Sequence, residues 1–135
     1  RQSGGSIDET YAAGLVTGIT HVGGLVGEQT GGSISDSYWN TETTGRGNAI
    51  GNVGGSGGAT GLTTAQMFGR NNFDNWDFID VWGIVEGQSY PYFLWQYPAS
   101  GGAPQVLSGV LYEDAAAVNG AAIMLRGAKP LPASD

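Results

Sequence analysis

Apolar residues in the first part of the chain recur at a fixed distance. Residues 4–11 (GGSIDETY) superpose on residues 31–38 (GGSISDSY) after a shift of 27 positions, and five of the eight residues are identical. Repeats of this kind, made of short strands between glycine turns, are typical of solenoids, in which each coil buries its apolar side against the next. The pattern therefore predicts that the Ile and the Tyr of one copy stack on those of the other, at the ~4.7 Å spacing of paired strands.

Glycines mark the expected corners of these coils. A second phrase, VGGLVG at 22–27, precedes the second copy, and VGG at 53–55 repeats its opening. Residues 14–20 alternate small and apolar side chains, which predicts a further strand. Because a corner requires a positive φ, which glycine adopts without steric cost, we expect positive φ at Gly24 and Gly32.

The next part of the chain, residues 62–97, is rich in aromatic side chains, and 68–97 hold ten of the fourteen aromatic residues. Thr63 and Gln66 have the spacing of a capping box, so we predict a short helix that begins there and ends before Gly69. The open end of a solenoid exposes an unpaired strand edge. The aromatic segment is therefore predicted to cap the C-terminal end of the coils.

The remaining residues predict a linker and two strands. Residues 98–104 read PASGGAP, which is typical of a linker. Residues 106–112 and 121–126 resemble the opening hairpin of immunoglobulin-like modules. The predicted fold is all-β: Gly-rich β-solenoid or β-helix coils with an aromatic C-terminal cap, followed by a linker and the start of an immunoglobulin-like β module. The corresponding ranges are 1–61, 62–97, 98–105 and 106–135.

Composition and charge narrow the possible functions. The 135 residues include 25 Gly, no Cys and one His, and the net charge is −7. Lack of Cys excludes disulfides and thiolate metal sites. The five cations are scattered and no apolar run approaches ~18 residues, so we expect neither a nucleic-acid partner nor a membrane span in this segment. Arg1 follows no Met or signal pattern, so we expect a soluble segment of a longer chain.

The glycine phrases also carry a family resemblance. GGLVG at 23–27, followed by GSISDSYW at 32–39, resembles the GLUG repeat of large bacterial exoproteins such as filamentous-haemagglutinin-like adhesins. Later phrases resemble the sequence that follows the last such repeat: 39–45, 61–67, 82–84 and 89–95. The likeness covers about residues 1–97, with one complete repeat and part of another. It implies a structural or adhesive role at a bacterial cell surface.

Three groups of polar side chains are candidates for chemistry, and a structural role is favoured for each. Six oxygen-bearing side chains in ten residues would suit calcium, but they lack EF-hand spacing: Asn71, Asn72, Asp74, Asn75, Asp77 and Asp80. Four carboxylates could supply a polysaccharide-cleaving pair, although their places predict solvent-facing turns: Asp8, Glu9, Asp36 and Glu42. His21 lacks a nucleophile-elbow phrase and is expected to be an exposed turn residue. We therefore expect no catalytic residues, no metal and no cofactor.

Aromatic side chains are the remaining candidates for ligand binding. Trp39, Tyr90 and Trp95 could stack on sugars through their flat apolar faces. The alternating aromatic phrase at 90–95 equally suits packing of the cap. A glycan-binding face is thus an alternative to a purely structural role.

The predicted function is a structural or adhesive segment of a secreted bacterial cell-surface protein, without catalysis. Its expected partners are other copies or segments of the same protein and, at the surface, a host or matrix glycan or protein. The alternative is a carbohydrate-binding module of an extracellular protein. A polysaccharide-cleaving β-helix enzyme is a further alternative, which would require carboxylates or basic residues aligned along one solenoid face.

Overall fold

The computed structural model describes residues 1–97 and two short strands near 112–117, and most of its regular structure is β. The strands are β1 (Gln2–Asp8), β2 (Tyr11–Ala12), β3 (Gln29–Ser35), β4 (Ser37–Asn40), β5 (Ala59–Leu62), β6 (Trp82–Gly83), β7 (Tyr92–Phe93), β8 (Tyr112–Glu113) and β9 (Ala116–Ala117). One four-residue helix, α1 (Thr64–Met67), and the 3-10 turns Arg70–Asn72 and Leu94–Gln96 complete the described elements. The all-β prediction is confirmed.

The two sequence copies lie side by side as parallel strands. Strand β1 pairs with β3, and Ile7 is opposite Ile34. Strand β2 pairs with β4, and Tyr11 is opposite Tyr38. Both pairs are 27 residues apart, so the predicted stacking of the Ile and Tyr positions is confirmed. The identical spacing means that equivalent residues of the two copies meet in the same rung.

A third layer lies on the second copy. Strand β5 pairs in parallel with β4, with Ser37 opposite Ala59, and Val26 forms an isolated parallel bridge with Ile50. Val53, by contrast, is largely exposed. Ile50, and not the phrase VGG at 53–55, therefore lies opposite Val26.

Residues 14–20 do not form the predicted strand. They lie in a bent loop without ladder pairing, and Leu15 and Ile19 are exposed. Only scattered bonds hold this loop: the Val16 amide donates to the Thr44 carbonyl over 3.2 Å, and the Arg46 guanidinium donates to the Val16 carbonyl. The alternation of apolar residues does not produce a strand here. The neighbouring segment is a turn, so it has no extended backbone with which residues 14–20 could form regular β hydrogen bonds.

The three-stranded sheet β2-β4-β5 separates two apolar clusters. Side chains alternate along β4, so Trp39 and Tyr38 lie on opposite faces of the sheet. The interior cluster consists of Val26, Ile34, Trp39, Ala49, Ile50 and Ala59. The outer cluster consists of Tyr38, Leu62, Met67, Phe73, Trp76, Trp82 and Ile84. Both faces of the central strand β4 are thus buried, since all four of its residues are.

Two glycines near the interior cluster have different roles. Gly32 has φ +86°, as predicted for a corner. Gly24 is not among the residues with positive φ, so that expectation is wrong. An added Cβ on Gly24 would clash with Trp39 Cδ1. Gly24 therefore provides space for the buried indole.

The aromatic segment begins with the predicted helix. Thr63 is the N-cap of α1, and Thr63 and Gln66 exchange the two hydrogen bonds of a capping box. The segment packs on the outer face of sheet β2-β4-β5, and its role as a cap for the end of the coils stays a prediction. Among the described residues, no backbone hydrogen bond joins 68–97 to the free edge of β5.

The C-terminal predictions fall largely outside the described residues. The linker at 98–105 lies there, as does most of the expected immunoglobulin-like start at 106–135; within it β8 and β9 pair antiparallel. In the described part of the chain, no helix is long and apolar enough to cross a membrane.

Candidate functional site

The two copies make the same corner between their strands. Glu9 follows β1 and Asp36 follows β3, and the 27-residue shift makes these two residues equivalent. Both have positive φ, +46° for Glu9 and +40° for Asp36. Such a conformation is strained for a residue with a Cβ and more so for Glu than for Asp, whose short side chain tolerates it. Each corner places an acidic side chain beside the start of the next strand.

The aromatic segment covers the second corner. Trp76 Nε1 donates to the Asp36 carbonyl over 2.6 Å, and Asn75 Nδ2 donates to Asp36 Oδ1 over 2.8 Å. The backbone N–H of Asp74 donates to the Tyr38 hydroxyl at 2.6 Å. The second corner therefore binds an amide, an indole and a backbone N–H within the same chain.

The first corner opens into a groove of about 380 Å³. Its lining residues are Glu9, Thr10, Tyr11, Trp82, Pro91, Tyr92, Phe93 and Gln96. Strands β6 and β7 supply the aromatic wall, since Trp82 is opposite Phe93 in their ladder. Within residues 1–97, no hydrogen bond engages the Glu9 carboxylate or the Gln96 amide. The groove thus combines aromatic walls with polar groups that have no partner in the described chain.

The aromatic wall continues from the core to the surface. Trp82 stacks on Phe93 with ring centroids 4.3 Å apart, and Phe93 stacks on Trp95 at 6.0 Å. Exposure rises along this row, from 5% for Trp82 through 37% for Phe93 to 73% for Trp95. A row of nearly parallel rings with an exposed outer end offers flat apolar surface to a ligand.

Tyr11 forms one side of the groove and is held in place. Its ring stacks on Tyr90 with centroids 5.9 Å apart and 5° between planes, and its hydroxyl donates to the Pro91 carbonyl over 2.8 Å. Burial, with a smaller contribution from the Tyr90 phenol, raises the Tyr11 pKa above its usual 10.0. Tyr11 is therefore neutral and fixed in position, and its hydroxyl proton is already donated to the Pro91 carbonyl.

Known proteins that resemble this chain are much longer than it is. A Gly-rich membrane protein of Evansella cellulosilytica is 36% identical over 107 residues, covering 70% of this chain and 12% of that protein. Halomucin of Haloquadratum walsbyi is 46% identical over 56 residues, covering 42% of this chain and 1% of halomucin. No protein-family model matches the chain, and no solved structure matches it. The chain spans only a small part of each relative.

The three ligand-binding candidates from the sequence lie in different surroundings. Trp39 is 4% exposed, and its Nε1 donates to the Arg46 carbonyl over 2.8 Å. Its ring is therefore covered by the interior cluster and offers no face to a ligand. The Tyr90 ring packs against Tyr11, and its hydroxyl accepts from Asn40 Nδ2 at 2.9 Å. Trp95 alone among the three is broadly exposed, next to the groove.

Three of the four carboxylates considered for catalysis accept hydrogen bonds from other residues of the chain. Asp8 Oδ1 accepts from the Ser35 hydroxyl at 2.8 Å. Glu42 Oε2 accepts from the Thr64 backbone amide at 2.8 Å, which lowers the pKa of Glu42. With Asp36 bound to Asn75, Glu9 is the member of the four-carboxylate set that lines a groove.

The residues considered for calcium make turns instead. Asp77 Oδ1 accepts from the backbone amides of Ile79 and Asp80, and these bonds lower its pKa. Asn72 Nδ2 donates to the Gln66 carbonyl. In the described residues, no group of three or more His, Cys, Asp or Glu side chains is arranged to hold a metal ion. His21 lies exposed in a turn with φ +50°.

Sequence reasoning named Glu9 only as part of a catalytic pair and did not find the groove. A signal was present, because the 27-residue shift places Glu9 at the corner equivalent to Asp36. What the sequence did not show is that β6 and β7 lie beside Glu9 and leave a gap there.

Proposed function

We propose that this chain is a non-catalytic structural and adhesive segment of a secreted bacterial cell-surface protein, and that residues 1–61 form coils of a β-solenoid flanked by the aromatic segment. The observation that carries this proposal is the parallel pairing of Ile7 with Ile34 and of Tyr11 with Tyr38. The pairing follows the sequence repeat, so further repeats would add further rungs.

Side chains along the ladder support the same reading. Gln29 Nε2 donates to Gln2 Oε1 over 3.0 Å, and Gln2 Nε2 donates to the Ser33 carbonyl over 2.9 Å. The Thr10 hydroxyl donates to Ser37 Oγ one copy away. Matched polar contacts between equivalent places stiffen a stack because each coil positions the next.

A surface location is consistent with the printed names of the two relatives, a Gly-rich membrane protein and a halomucin. The GLUG-type phrases, which resemble those of filamentous-haemagglutinin-like adhesins, support the adhesive role. Partners include other segments or copies of the same protein: within residues 1–97, β1 pairs only with β3. Its other edge is therefore a place where a further strand would add.

The solenoid is tested by lengthening it in the full chain. A second copy of residues 4–30, inserted after residue 30, should stack as one more coil, raise the melting temperature and lengthen the particle by about 4.7 Å per added layer in small-angle scattering. The control is an insertion of the same 27 residues in scrambled order. If the repeat and the scrambled insertion behave alike, the residues do not stack as coils and the proposal fails.

The location and the lack of catalysis are tested separately. An antibody against residues 1–97 should lose its signal when intact cells that make the parent protein are treated with protease. Retention of the signal would contradict a surface location. Incubation of the purified chain with an acidic polysaccharide should yield no new reducing ends, whereas their appearance would revive the enzymatic alternative.

A further inference from the structure

The groove at the first corner has the chemistry of a sugar-binding site. We propose that it binds a neutral glycan containing N-acetylated hexose units, with Glu9 accepting the acetamido N–H, Trp95 stacking on a sugar ring and Phe93 lining the groove beside it. This binding does not depend on whether further repeats extend the coils.

The second corner shows which donors this geometry accepts. Asp36 takes an amide N–H of Asn75 on its carboxylate and the indole N–H of Trp76 on its carbonyl. Glu9 has the same place in the repeat and the same left-handed backbone. Glu9, however, lines the groove, and within residues 1–97 its carboxylate has no counterpart of the Asn75 amide. A ligand that brings an amide N–H next to a flat apolar surface would reproduce these contacts, and an acetamido sugar has both features.

Aromatic rings supply the apolar part of the site. Sugars present faces of C–H groups, which pack on aromatic rings, while their hydroxyls point outward to polar side chains. In this groove, Phe93 and Tyr92 lie on the wall, and Thr10 and Gln96 lie at the rim. Trp95 extends the row of rings beyond the groove, which favours a chain of several sugar units over a single one.

Charge and size restrict the ligand further. The Glu9 carboxylate and the net charge of −7 disfavour anionic sugars. The volume of about 380 Å³ is at the small end of ligand-binding sites, which range over ~300–1,000 Å³. The site therefore suits a short stretch of neutral glycan and not a uronate polymer.

Isothermal titration calorimetry of the full chain tests this assignment with three tetrasaccharides. One is built of N-acetylglucosamine, one of glucose and one of galacturonate. We expect the acetamido tetrasaccharide to bind most tightly and the uronate not at all. Phe93→Ala should weaken binding about five- to tenfold, and Glu9→Gln about tenfold because it removes the charged acceptor. The matched controls are Ile79→Ala and Asp80→Asn, which alter exposed side chains outside the groove and should bind like the unaltered chain.

Each other outcome overturns the proposal. Absence of binding at millimolar sugar would show that the groove is not a glycan site. Equal affinity for the two neutral sugars would remove the acetamido assignment. Unchanged affinity in both groove variants, with circular dichroism showing that they are folded, would place the sugar elsewhere. A peptide with the sequence of residues 74–77 that displaced the sugar and bound more tightly would make the groove a peptide site.

Discussion

Replacing Gly24 with Ala tests whether the interior cluster around Trp39 is packed as tightly as the structure shows. The Gly24 amide donates to the Asn48 carbonyl at 2.8 Å, which fixes the backbone. An added Cβ would clash with Trp39 Cδ1 and would lie 2.8 Å from its Cγ. The indole cannot swing away freely, because it is 4% exposed and its Nε1 is bonded to the Arg46 carbonyl. Backbone or ring must therefore shift.

The expected cost follows from two opposing terms. Overpacking a rigid core costs about 1–3 kcal/mol, and the loss of glycine's freedom in the unfolded chain returns about 0.4–1 kcal/mol. The net destabilisation of Gly24→Ala should be about 1–2 kcal/mol. For a domain near 100 residues, this lowers the melting temperature by about 5–15 °C.

Urea unfolding of the full chain, followed by tryptophan fluorescence, measures this loss. The matched control is Gly14→Ala, because a Cβ on Gly14 meets nothing within 4 Å and Gly14 is not among the positive-φ residues. That variant should be neutral or slightly more stable. If Gly24→Ala unfolds at the same urea concentration as Gly14→Ala, the contact between Gly24 and the indole is not as close as described, and the reasoning fails.

Three further predictions concern other parts of the chain. Gly5→Ala should lower the free energy of unfolding by about 1–2 kcal/mol through backbone strain alone, since φ is +72° and no atom lies within 4 Å of the added Cβ. The control Gly4→Ala is equally uncrowded and should cost little. Equal urea midpoints for the two variants would contradict the strain at Gly5. Burial raises the pKa of both Tyr11 and Tyr38 above 10.0, so the folded state keeps these protons to higher pH than the unfolded chain. Stability should be unaffected by these groups below pH 10 and should fall above it, and constant urea midpoints between pH 9 and 11 would refute this. Thr63→Ala removes the N-cap acceptor of α1 and should lower the free energy of unfolding by about 0.5–2 kcal/mol. Thr63→Ser keeps a hydroxyl and should cost less. Equal urea midpoints for the two variants would show that the cap hydrogen bond is not stabilising.

The repeat could be predicted from the sequence because identical residues in parallel strands meet rung by rung. The 27-residue shift alone was enough to predict the pairing of Ile7 with Ile34 and of Tyr11 with Tyr38. The capping box at Thr63 was equally local, since its hydrogen bonds span three residues. Where the repeat lapsed, the same reasoning failed: residues 14–20 keep the alternation of a strand but lie opposite a turn.

The sequence by itself determined the all-β character, the pairing of the two copies and the short helix, because each depends on local pattern or on a repeat that copies its own contacts. Tertiary structure decided where the aromatic segment packs and therefore where the groove lies. Aromatic side chains pack without a preferred register, so their number in 68–97 indicated a core but not which face of the sheet it would cover. The difference between the Asp36 corner, filled by Trp76, and the Glu9 corner, left open, arises only from that placement.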